Sequence, residues 1–103
     1  MDIPVDYSKK VDEIRDYFEG SFPGISIHTN SEIDTRNVAF RFDKGTEVLH
    51  VLKITYKVLD DNLTAEIVRK LEDAKWIELL NGAGNKPVIL TSQGFKFQQA
   101  AAN

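Results

Sequence analysis

Between Tyr7 and Glu19 the apolar residues Tyr7, Val11, Ile14 and Phe18 recur at spacings of four, three and four. Lys9, Asp12, Glu13 and Asp16 fall mainly on other faces, and this pattern predicts an amphipathic helix over 7–19. Asp6 or Ser8 can cap its start and Gly20 can end it. After a turn at Pro23-Gly24 the period changes to two. Ile25 and Ile27 alternate with Ser26 and His28, which predicts a half-buried strand over 24–29. A polar connection, "NSEIDTRN", leads to a second alternating run, 37–43, with Val38, Phe40 and Phe42 on one face and Ala39, Arg41 and Asp43 on the other.

The next stretch, 46–56, is apolar enough to suit either a strand or a helix, because Val48, Leu52, Tyr56 and Leu59 also fall at helical spacing. Its β-branched residues Val48, Val51, Ile54 and Thr55 lower helix propensity and favour a strand. Gly45 in "DKGT" suits the tight turn of a hairpin. With Lys44-Gly45 as the loop, Phe40 faces Leu49 and Val38 faces Val51. Val48, His50, Leu52 and Ile54 then share the second face with Ala39 and Arg41. Apolar residues on both faces of this strand suggest either a covered central strand or a face that docks a partner.

Beyond "VLDDNLT", Ile67, Val68, Leu71 and Ala74 predict a helix over 64–75, capped by Thr64 and stapled by Leu63 against Val68. "WIELL" and "PVILT" flank "NGAGNK" and suggest a C-terminal hairpin. Thr91 or Ser92 can cap a terminal helix carrying Phe95. The expected fold is a single small α+β domain over 1–103, an antiparallel β-sheet packed on helices, in the order α-β-β-β-α-β-β-α. Disorder is expected only at the ends, as in the tail "QQAAAN".

Composition narrows the function. A hydrophobic fraction of 42% is ordinary for one globular domain, and 103 residues can support one core without staples. The absence of cysteine excludes disulfides, thiolate-bound zinc and cysteine nucleophiles. No signal-like or membrane-spanning apolar run occurs, so a cytoplasmic protein is expected. The net charge of −3 gives no overall field for a polyanion. Residues 64–103 hold five Lys/Arg against four Asp/Glu, too small an excess to mark a nucleic-acid footprint.

No catalytic constellation stands out. His28 and His50 lack further metal ligands at a recognisable spacing, so no metal site and no cofactor are expected. His50 beside Arg41 would form a pH-sensitive interface rim. Asp60-Asp61 read as turn and cap residues, and "NGAGNK" as a hairpin tip rather than a phosphate loop, which would open into a helix. Phe40 and Trp76 read as core. The serines and threonines have no nucleophile context.

Two resemblances bear on nucleic acid. "NLTAEIVRKLEDAKWIELLNGAGNKPVILTSQG" resembles the second half of a winged-helix domain: a helix, an entry into a β-wing, and an exit into another helix. That resemblance implies nucleic-acid binding through Arg69, Lys70, Lys75 and Lys86. The chain departs from the family in leaving room for only one helix between Leu63 and Trp76, and Glu66, Glu72 and Asp73 offset the cations. The order α-β-β-β-α is also similar to that of double-stranded-RNA-binding domains. Those present lysines at the start of the last helix, where this chain has "DDNLTAE".

The leading expectation is therefore a non-catalytic interaction or regulatory module. It would dock a protein partner, or a second copy of itself, through a sheet face formed by Arg41, Val48, His50, Leu52 and Ile54. Winged-helix-like nucleic-acid binding by the 64–91 segment is the alternative.

Overall fold

The computed structural model describes residues 3–97. In chain order the elements are α1 (Val5–Ser21), β1 (Ser26–Glu32), β2 (Asn37–Lys44), β3 (Glu47–Thr55), α2 (Tyr56–Asp61), α3 (Thr64–Asp73), α4 (Trp76–Ala83), β4 (Val88–Thr91) and β5 (Gly94–Phe97). The strands form one sheet in the order β1-β2-β3-β4-β5. The α+β class and the first four elements are those the periodicity predicts, and 47–55 is a strand. The tail 98–103 lies outside the described residues.

The second half departs from expectation in three ways. "WIELL" is helical: Trp76, Leu79, Leu80 and Ala83 recur at helical spacing, and Trp76 and Leu80 reach the core. The connection from β3 to β4 therefore consists of α2, α3 and α4, long enough to bring β4 parallel to β3, with Leu52 opposite Val88 and Ile54 opposite Leu90. The sheet is mixed, not wholly antiparallel. Finally, Thr91 and Ser92 open a hairpin into β5, pairing Thr91 with Gly94, so 94–97 is a strand where a terminal helix was expected.

The β2–β3 hairpin has a register that the loop sequence did not disclose. The loop is Gly45-Thr46, with Lys44 opposite Glu47 and Gly45 at φ 63°. Between Asp43↔Val48 and Phe42↔His50 the pairing slips by one residue, leaving Leu49 as the extra residue of a β-bulge in β3. Phe40 thus faces Leu52 and Val38 faces Ile54. Relative to the expected register the shift is three residues. An odd shift exchanges the two faces of a strand.

One core results. Phe18 on α1 sits at its centre, with ring centroids 5.2 Å from Phe40, 5.2 Å from Phe42 and 4.7 Å from Trp76. Val11 and Ile14 of α1, Val58 and Leu59 of α2, Ile67 and Leu71 of α3, and Leu80 of α4 close over the same face of the sheet. Tertiary hydrogen bonds fix the helices to each other. The Lys10 ammonium donates to the carbonyls of Leu59 and Asn62, tying α1 to the α2–α3 junction. Thr64 Oγ1 donates to Glu13 Oε1 at 2.8 Å. Glu66 accepts from the Leu63 N–H at 2.8 Å, half of a capping box. Leu63, not Thr64, is the N-cap, and it stays largely exposed where a staple was expected.

A candidate docking face on the open side of the sheet

Because cross-strand partners share a face, the ladder assigns every strand residue to one side. Val38, Phe40, Phe42, Leu52, Ile54, Val88 and Leu90 point to the helices and are buried. His28, Ala39, Arg41, Asp43, Val51, Lys53 and Ile89 point the other way. No residue of this second side belongs to the hydrophobic core cluster, so among the described residues it has no covering layer.

This open side carries a hollow of about 500 Å³ with Ala39, Val51 and Pro87 as its apolar floor and His28, Arg41, Lys53 and Glu32 around them. The ions are organised in two sets. Asp43, whose side chain is only 10% exposed, accepts from Arg41 Nε at 3.1 Å and lies 3.0 Å from Arg41 Nη2 and 3.4 Å from His28 Nε2. Arg41 and His28 themselves remain 52% and 58% exposed. The carboxylate is thus tucked beneath two groups that face water. Lys53 on β3 reaches across β2 to pair with Glu32 on β1 at 2.9 Å. Long side chains lying over the sheet explain how Lys53 is largely buried on an uncovered face.

The five residues expected to form a docking face are not brought together. Arg41 lies on the open side, and Val48, opposite Asp43, does too, beyond the bulge. Leu52 and Ile54 are in the core at 0% exposure. His50 follows them inward to the rim, near the rings of Phe22 and Phe42, rather than sitting beside Arg41. Its Nδ1 is 2.8 Å from the Gly84 carbonyl oxygen, which can only accept, so Nδ1 carries the proton. The alternation of β2 already set Ala39 and Asp43 on this side with Arg41, whereas sequence reasoning missed Val51, Lys53 and His28 as members of the face. The alternation itself would have found them once the register was known.

The other candidates are accounted for locally. Asp61 pairs with Lys57 at 3.5 Å on α2, and Gly84 at φ 62° ends α4. Among the described residues no group of three or more His, Cys, Asp or Glu is placed to hold a metal. None of their helices is long and apolar enough to cross a membrane. Arg69 and Lys70 are exposed on α3, Lys75 occupies the left-handed turn before α4, and Lys86 lies in the loop before β4. No family model, curated protein or solved structure matches the chain.

Proposed function

We propose that this protein is a non-catalytic docking module whose open sheet face receives a protein segment bearing carboxylates beside aliphatic side chains. The observation that carries this reading is the one-sidedness of the sheet: four helices cover one face, while the other presents Ala39, Val51 and Pro87 beneath exposed Arg41 and His28. Arg41 uses Nε and Nη2 on Asp43, and Nη1 has no partner among the described residues. An incoming carboxylate can therefore bind the guanidinium in addition to Asp43, with the apolar floor taking up the neighbouring aliphatic group.

The test is selection of a random peptide library against the immobilised protein, followed by affinity measurement on Arg41→Glu and Val51→Asp variants. Selected peptides should carry Asp or Glu next to Leu, Ile or Val, and both variants should lose at least about tenfold in affinity, equivalent to about 1.4 kcal/mol. Peptides that bind both variants unchanged would overturn the reading.

Nucleic-acid binding is the second reading. It draws on α2 and α3 being separated by only Asn62 and Leu63, and on the hairpin that follows α4, parts used by winged helix-turn-helix domains. Between Leu63 and Trp76 there is one helix, α3, as the sequence allowed, and the further helix before the hairpin is α4, from the "WIELL" stretch expected as a strand. The charges oppose it, since Glu66, Glu72 and Asp73 interleave with Arg69, Lys70 and Lys75. A duplex titration at several salt concentrations separates the two: the docking reading predicts no salt-dependent affinity near physiological ionic strength.

A further inference from the structure

The two edges of the sheet are built differently. β5, at one edge, is described over Gly94–Phe97 and carries Lys96. Lysine, proline and bulges are among the devices that keep an edge strand from pairing with another chain. β1, at the opposite edge, has none of the three. It runs seven residues, Ser26–Glu32, without lysine, arginine or proline. Its register to β2 is continuous from Ser26↔Asp43 to Glu32↔Asn37, without a bulge. No described strand pairs with its outer side.

We infer that β1 is a self-association edge, pairing antiparallel with β1 of a second copy to join two sheets into one of ten strands. The register follows from geometry. Partners across a ladder must share a face, so residues of the two copies can face one another only if their numbers have the same parity. Among such registers, only the one centred on Thr29 overlaps all seven residues. It sets Thr29 against Thr29, His28 against Asn30, Ile27 against Ser31 and Ser26 against Glu32 of the second copy. No like charges are opposed, and His28 stands diagonal to Glu32 of the second copy, within reach of long side chains. The two-fold axis is perpendicular to the sheet, so both open faces lie on the same side. This inference does not rest on the docking reading, because it is argued from backbone pairing at the edge of the sheet, although His28 and Glu32 also line the open-face hollow.

Sedimentation velocity on the full chain, up to millimolar concentration, tests it with two substitutions at exposed Ser26. The protein should reach a dimer. Ser26→Glu, which opposes Glu32 twice per dimer, should weaken it about tenfold, whereas Ser26→Lys should not weaken it. Circular dichroism checks that both variants fold. The chain has no cysteine of its own, so Thr29→Cys provides a second measurement, a disulfide-linked dimer on mild oxidation. A strict monomer, a dimer that both Ser26 substitutions affect alike, or a Thr29→Cys protein that oxidises no faster than a Lys44→Cys control overturns the inference.

Discussion

Phe40 lies directly opposite Leu52 across the β2–β3 ladder, and both side chains are fully buried beneath the helices. That pairing fixes which half of β3 is core. It places Arg41 opposite Val51 on the uncovered side, where the proposed docking face is built.

Neighbouring residues 51 and 52 should accordingly respond in opposite ways. Leu52→Ala is expected to lower unfolding free energy by about 2–5 kcal/mol, and Leu52→Asp to unfold the chain. Val51→Asp should cost less than Leu52→Ala and leave the chain folded, because position 51 is only partly buried and lies on the uncovered side. Urea melts followed by the single Trp76 read out all three.

Lys75 occupies the left-handed region at φ 56°, where a side chain is strained and glycine is not. Lys75→Gly should raise stability by about 1 kcal/mol. Gly45→Ala, at φ 63°, should lower it by about the same amount. Thermal melts of both variants against the parent chain check the pair.

Tyr17 joins α1 to α3 and α4: its hydroxyl accepts from Trp76 Nε1 at 3.0 Å and donates to Glu72 Oε2 at 3.3 Å. Tyr17→Phe leaves the buried indole N–H without that acceptor and should cost about 1–3 kcal/mol. Burial, with Glu72 adding to it and the Trp76 N–H opposing, holds the Tyr17 phenol above its ordinary value. Tyr7 is raised too, by burial and then by Asp60. Since the folded state disfavours these phenolates, their contribution to stability is complete below about pH 10 and is lost as pH rises through the folded values. Alkaline denaturation profiles should show that loss, and Tyr17→Phe should reduce its steepness.

Asp43 anchors two cationic side chains on the open face, yet both are half in water, so its stability contribution is discounted accordingly. Asp43→Ala should cost about 1 kcal/mol in a urea melt while freeing the Arg41 guanidinium. In the peptide assay it should change affinity, whereas Lys70→Ala on α3, on the helical side, should not.

The strands of the first half were legible because alternation and β-branching act locally, and α1 because its stripe has a period no strand shares. The hairpin register was not. It depended on whether the loop was Lys44-Gly45 or Gly45-Thr46 and on a bulge at Leu49, neither of which changes composition. The same shift moved Leu52 and Ile54 from the expected docking face into the core, so the β2 side of the open face (Ala39, Arg41, Asp43) could be read from sequence while Val51 and Lys53 on β3 could not. "WIELL" failed differently. A five-residue stretch with four apolar positions fits both periods, and the Asn and Gly residues after it imitate a hairpin loop although they end a helix. The parallel placement of β4 follows only from that helix.

The most direct test is the set of cross-strand backbone nuclear Overhauser contacts between β2 and β3. The fold described above predicts contacts pairing Phe40 with Leu52, Arg41 with Val51 and Val38 with Ile54. Contacts pairing Phe40 with Leu49 and Val38 with Val51 would turn Leu52 outward and contradict both the core and the open face.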